Sequence, residues 1–210
     1  MPTHKKKPRK GISRRDFLKG IGGGAVGGAL SAHLLPPTLA SASAQADSPP
    51  LQSLKRITFS LNGKETTIDV DPSETLLHLL REKLHLTGTK KVCDHGSCGG
   101  CTVLVDDMAV YSCLYPAFRV NGKNVVTIEG LSNGKELHPV QQAFIDHDAY
   151  QCGFCTPGFI LATVALLRQK ASPSVEEIRA GLSGNICRCG NQAKILAAVK
   201  AAASQKGGWR

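Results

Sequence analysis

The sequence predicts an α+β chain in two parts, a strand-rich unit over residues 55–130 followed by an all-α unit of four short helices over residues 131–203. Three observations carry that expectation. Apolar residues alternate with a period of two in the first part and recur at helical spacing in the second, and this period distinguishes strand from helix. Asn62-Gly63 stands between two alternating runs, the usual signature of a two-residue hairpin. Eight cysteines fall into two sets of four, one set in each part.

A leader precedes both parts. The 210-residue chain carries a formal charge of +10, which points to nucleic acid or a membrane until it is located. Residues 1–46 hold eight Lys/Arg against the single acid Asp16, leaving 18 basic and 15 acidic side chains, a net +3, on the rest. The basic character belongs to the leader, and nucleic-acid binding is excluded. Ser13-Arg14-Arg15-Asp16-Phe17-Leu18-Lys19 precedes a weakly apolar stretch over residues 20–35, and Ala42-Ser43-Ala44-Gln45-Ala46 supplies small residues for cleavage. Together they read as a signal peptide, residues 1–46, whose motif resembles a twin-arginine export signal and implies a periplasmic product exported already folded. The apolar stretch is too short and too rich in glycine to span a bilayer stably, so membrane contact is expected only in transit, with a retained anchor as the competing reading. Gly22 to Gly27 matches G-x-G-x-x-G, but no strand precedes it, as a dinucleotide fingerprint requires. Residues 47–54 read as a linker and 204–210 as a tail.

In the first unit, Arg56-Ile57-Thr58-Phe59-Ser60-Leu61 reads as a half-buried strand, returning after the turn over residues 65–70. Asp71-Pro72-Ser73-Glu74 is expected to open a helix whose apolar face is Leu76, Leu77, Leu79, Leu80 and Leu84. A cysteine loop follows at residues 93–101, then a strand Thr102-Val103-Leu104-Val105, a turn at Asp106-Asp107, a returning strand over 109–113 and a last strand over 124–128. His78 and His85 read as solvated, and Lys90 and Lys91 as a surface pair.

In the second unit, His138-Pro139-Val140 starts a helix with Pro in its first turn. Thr156-Pro157 reads as an N-cap before a strongly apolar helix over 159–167. Ser174-Val175-Glu176-Glu177 has the pattern of a capping box, and residues 194–203 form the fourth helix.

The cysteines carry the chemistry. Cys93, Cys98 and Cys101 are spaced C-x4-C-x2-C, with Cys113 following after eleven intervening residues, which is the ligand spacing of a plant-type [2Fe–2S] ferredoxin site. Glycines in that loop permit positive φ and close approach of amides to sulfur. A hairpin, a helix and further strands around a loop-borne cluster suit the small ferredoxin-like (β-grasp) architecture. Cys152-x2-Cys155 with Cys187-x-Cys189 makes a second set of four thiolates, each pair at or just before a helix start, where free N–H groups favour an anionic cluster. A zinc site is the alternative there, but it expects C-x2-C at both ends. His95 as a mixed-site ligand is a further alternative, and four thiolates already suffice without it. Four disulfides in an exported chain remain the competing use of eight cysteines.

Three motifs in order, residues 93–101, Gln151-Cys152-Gly153-Phe154-Cys155-Thr156-Pro157-Gly158 and Gly184-Asn185-Ile186-Cys187-Arg188-Cys189, resemble the iron–sulfur subunits of the molybdenum hydroxylase (xanthine oxidase) family over residues 55–203. The resemblance implies a plant-ferredoxin-like domain and a four-helix domain, each with one [2Fe–2S] cluster. It also implies a large partner subunit holding molybdenum and a pterin, and a FAD-binding subunit or another electron acceptor. It places Gln151 and Cys189 close to the partner's pterin. With the leader, it is most similar to periplasmic aldehyde oxidoreductases. One departure stands out: the family usually continues Thr-Gly-Tyr after the last cysteine, where this chain has Gly190-Asn191-Gln192.

The expected function is a relay, with electrons passing from the partner's molybdenum to the Cys152/Cys155/Cys187/Cys189 cluster, then to the Cys93/Cys98/Cys101/Cys113 cluster, then to FAD or an external acceptor. The chain offers no catalytic base, nucleophile or substrate pocket of its own and is expected to be inactive alone. A stand-alone exported ferredoxin-like carrier and a disulfide-stapled exported domain are the rival readings.

Overall fold

The structure is a computed structural model and describes residues 13, 15–17, 19, 53–132, 134 and 136–205. The export leader and linker therefore lie outside the described residues except at seven positions, 13, 15–17, 19, 53 and 54, and the tail is described only at residues 204 and 205. Within the leader, residues 15–17 are helical, and the Ser13 hydroxyl donates to Asp16 Oδ2 at 2.6 Å. The described residues from 53 onward form one compact unit.

Strand β1 (Lys55–Leu61) pairs antiparallel with β2 (Lys64–Val70), Leu61 opposite Lys64. The turn is as expected, with Asn62 and Gly63 both at positive φ (52° and 78°), the handedness that matches strand twist. Ile57 and Phe59 point into the core, while Arg56 pairs with Asp69 at 2.8 Å on the wet face.

The leucine-rich segment departs from expectation in two ways. Its cap is Thr75, whose hydroxyl accepts from His78 N–H, and not residues 71–74. Those four form a side-chain-bonded turn in which Asp71 accepts from Ser73, and Glu74 points inward to Lys83 Nζ (2.7 Å) and His78 Nδ1 (2.8 Å). Helix α1 (Leu76–His78) then widens into a π-helical turn, Leu79–Lys83, closed by Leu84 N–H on Leu79 C=O. Burial explains the widening: Leu76, Leu79 and Leu80 join the sheet core while Leu77 packs on Cys101 and Cys113. A straight amphipathic helix presents a single apolar stripe, and these leucines serve two targets.

The sheet runs β2-β1-β5-β3-β4, with β3 (Thr102–Val105), β4 (Met108–Tyr111) and β5 (Asn124–Val126). β1 and β5 are parallel and the other pairs antiparallel. β4 stops at Tyr111, leaving Cys113 in the turn beyond. β5 stops at Val126 because Asn62 takes over the pairing: its Oδ1 accepts from Thr127 N–H and its Nδ2 donates to the Thr127 hydroxyl. Every residue of β3 is buried. Val103 and Val105 enter the sheet core and Leu104, on the other face, enters the core of the helical part.

That part consists of α2 (Pro139–Asp146), α3 (Thr156–Gln169), α4 (Val175–Gly181) and α5 (Gln192–Ser204). α2 is capped by His138, whose Nδ1 accepts from Val140 N–H, and α4 carries the expected Ser174/Glu177 capping box. The expected Thr156 cap is corrected: Cys155 occupies the cap, Thr156 and Pro157 the first helical positions. α3 is buried nearly all round and packs against β3, α2, α4 and α5.

Candidate metal centres

The first centre is a loop whose backbone is forced into the left-handed region at Asp94, Gly96 and Gly99 (φ 60°, 78° and 68°). Coiled this way, it turns amides onto sulfur: Gly96 N–H donates to Cys113 Sγ at 3.2 Å and Gly100 N–H to Cys98 Sγ at 3.5 Å. The thiols influence one another, Cys93 most through Cys98 and Cys113 most through Cys101. Cys93 is held down to about 6, chiefly by the His95 N–H, with the Cys98 thiol and the Ser97 and Cys98 amides adding to it. Cys113 is pushed up to about 12 by burial and by the neighbouring Cys101. His95 spends Nδ1 on the Cys93 carbonyl at 2.5 Å.

The second centre lies between helix ends. Cys155 caps α3, Cys152 precedes it across Gly153 (φ 82°), and Cys187 and Cys189 lie in the loop before α5. The four thiols influence one another, Cys152 most through Cys189 and Cys155 most through Cys187. The Phe154 N–H and the Cys189 thiol lower Cys152, whereas burial and Cys187 push Cys155 up to about 12. Asn191 N–H reaches Cys187 Sγ at 3.5 Å, and its side chain, buried, donates to the Asp148 carbonyl at 3.0 Å. Gln192 Nε2 holds the Cys187 carbonyl at 3.3 Å. The residues that depart from the family pattern thus brace this loop. Gln151, Cys152 and Cys189 are exposed.

This donor set discriminates among metals. Cys187-x-Cys189 is one residue tighter than the C-x2-C that a zinc site expects at both ends. Four thiols at each centre, with amides donating to sulfur, fit a [2Fe–2S] cluster, in which four protein thiolates are shared by two irons. All eight cysteines are free thiols in the structure.

The two centres meet along a seam that spacing alone did not reveal. Ile186 N–H donates to the Cys98 carbonyl at 3.0 Å, and Asn185 Nδ2 donates to the Gly99 carbonyl at 2.9 Å. Gly158 in the first turn of α3 permits the approach, since a Cβ there would lie 2.2 Å from the Gly99 oxygen. Gly158 and Asn185 stand inside the cysteine motifs, and their proximity to cysteines was the available signal; their role needs the through-space contact.

Comparison with known proteins agrees with the two-centre geometry. Residues 59–125 match the 2Fe-2S iron-sulfur cluster binding domain and residues 127–200 the [2Fe-2S] binding domain. The aldehyde oxidoreductase iron-sulfur-binding subunit PaoA of Escherichia coli (strain K12) is 43% identical over 209 residues, covering 92% of this chain and 89% of PaoA. This chain belongs to the iron–sulfur subunits of the molybdenum hydroxylases. Such a subunit is a non-catalytic electron-transfer component with two [2Fe–2S] clusters. The nicotine 6-hydroxylase small subunit of Paenarthrobacter nicotinovorans is 46% identical over 151 residues, 72% of this chain and 91% of that protein. Among solved structures, quinoline 2-oxidoreductase from Pseudomonas putida 86 matches at a TM-score of 0.69 and 41% identity, over 72% of this chain and 94% of that one. Residues 11–31 match the twin-arginine translocation pathway signal sequence.

Proposed function

We propose that this chain is the electron-transfer subunit of an exported molybdenum-containing aldehyde oxidoreductase. Cys93, Cys98, Cys101 and Cys113 hold one [2Fe–2S] cluster in a β-grasp domain of residues 55–130. Cys152, Cys155, Cys187 and Cys189 hold the other in a helical domain of residues 131–203. Bound there, the clusters take up and release single electrons, the chemistry that links a molybdenum-pterin centre on a large partner subunit to FAD on another subunit or to an external acceptor. Two sets of four cysteines, one in each of the two matched cluster-binding domains, carry this reading.

The chain's own residues do three things. Backbone amides of Gly96, Gly100 and Asn191 neutralise sulfur charge without adding a titratable group. Burial of Cys101, Cys113 and Cys187 keeps water from the inner thiolates. Exposed Tyr150, Phe154 and Ile186, beside exposed Gln151, Cys152 and Cys189, offer the large partner an apolar landing surface, and they support the placement of Gln151 and Cys189 next to its pterin. The relatives are enzyme subunits, which disfavours a stand-alone carrier. The leader, residues 1–46, with the linker 47–54, delivers the folded product to the periplasm.

Purification from the periplasm tests the reading. The chain should co-purify with a molybdenum-containing partner, hold about four irons per chain in two spectroscopically distinct clusters, and turn over aldehydes only in the complex. Iron well below that level, or a chain that exports and works alone, would sink it.

A further inference from the structure

Tyr111 has no part in the roles above, yet it packs on the first centre and reaches the segment that leads into Cys187 and Cys189 of the second. It ends β4, paired with Thr102, and its ring packs with Leu77 on Cys101 and Cys113. Its hydroxyl lies against Gly184, where a Cβ would sit 1.7 Å from the phenol oxygen. Gly184 opens the segment that carries Asn185, Ile186, Cys187 and Cys189. The hydrogen bonds from Ile186 to Cys98 and from Asn185 to Gly99 draw the two cysteine loops together. A stiff aromatic side chain wedged between the Cys101–Cys113 pair and Gly184 opposes that pull.

We propose that Tyr111 is a positioning residue, a spacer that fixes the separation of the two metal centres and keeps water off the Cys101–Cys113 pair. The inference rests on the assignment of the eight cysteines as cluster ligands. No bond forms or breaks at Tyr111, which stays a neutral phenol; it acts through distance and local dielectric. Both quantities matter to a redox pair: electron exchange weakens steeply with separation, and solvent exposure is one of the levers on cluster potential. Backbone glycine at position 184 is part of the device, because only a missing side chain admits the phenol so close.

Potentiometric EPR on the purified complex, made from the full chain with its partner subunits, tests each half. Tyr111→Ser admits water beside Cys113 and should shift the midpoint of the first centre to more positive potential, since water favours the more negative reduced state, and should shift it by more than that of the second centre. A fully iron-loaded Tyr111→Ser complex with both midpoints unmoved overturns the shielding role. A second measurement does not depend on that variant. Gly184→Ala alone should shift or broaden the signal of the second centre. Adding Tyr111→Phe, which removes the oxygen that the new Cβ meets, should restore it, the remaining ring carbon at 3.1 Å needing to yield only slightly. A Gly184→Ala complex indistinguishable from wild type, or a double variant as perturbed as Gly184→Ala, overturns the spacer. Failure of the ligand assignment would show differently, as wild-type complex lacking one of the two signals.

Discussion

The first metal centre is wound from an irregular loop and the second is assembled between helix ends, and the two differ in what they leave open. At the first, Cys101 and Cys113 are buried, Cys93 and Cys98 half-buried, and the loop's own amides meet the sulfurs. At the second, Cys187 is buried and Cys155 half-buried, while Cys152 and Cys189 form an exposed edge flanked by exposed Phe154 and Ile186. A loop can wrap its ligand on most sides. Helix ends converge on one side only and leave the other for a partner to cover. The first centre is therefore nearly complete within this chain, and the second faces outward.

The largest test of that contrast removes a ligand. Cys187→Ser should cost the second centre its iron, about half the total, while the EPR signal of the first survives. Cys98→Ser should do the reverse. Joint loss of both signals in Cys187→Ser would show that the two centres do not form separately.

Next comes the strand that both halves share. Leu104 is fully buried among the helices, whereas Val103 and Val105 on the same strand lie in the sheet core. Leu104→Ala should destabilise the chain by about 2–5 kcal/mol. The loss should appear as one transition in thermal unfolding followed through both clusters. Earlier melting of the helical half alone would mean that β3 does not couple the two.

A smaller effect is expected at Asn191, whose buried amide ties the Cys187–Cys189 loop to the Asp148 carbonyl just before Cys152. Asn191→Ala leaves that carbonyl without its donor and should cost about 1–3 kcal/mol, with a changed signal from the second centre and none from the first. Equal perturbation of both centres would place the tie in the general fold instead.

How far the sequence reached differs between the two centres for a physical reason. The hairpin at Asn62-Gly63, the Ser174/Glu177 capping box and the spacing of Cys93, Cys98 and Cys101 are local, and local chemistry is written in neighbouring residues. The π-helical turn was hidden because Leu76, Leu77, Leu79 and Leu80 satisfy a helical pattern whichever surfaces they meet. Thr102-Val103-Leu104-Val105 read as a short strand, and nothing in it said that both its faces are buried or what lay beyond Leu104. Gly158 and Asn185 read as parts of a motif, and only the approach of α3 and the 184–189 segment to Gly99 gives them a task. Asn191 read as a departure from the family pattern, and its tie to Asp148 needed the fold.

The smallest predicted effect separates the centres by pH. Glu74 lies in a cleft beside Cys113 that His78, Lys83, Lys91 and Asp94 also line. Burial pushes its carboxyl up, but hydrogen bonds from Lys83 and His78 outweigh that and hold it below the usual carboxylate range. A carboxyl depressed in the folded state contributes stability above its unfolded value, and loses it as pH falls through the folded one. Acidification should therefore loosen the Glu74–Lys83 grip on the turn after α1, and with it Leu77 over Cys101 and Cys113, before it reaches the second centre, which has no comparable buried carboxylate among the described residues. Glu74→Gln removes the titration: its complex should be less stable than wild type at neutral pH and should lose less on acidification, read as bleaching of the first centre's visible absorbance against pH. Identical acid limbs for wild type and Glu74→Gln would show that the carboxylate plays no part in the acid sensitivity of that centre.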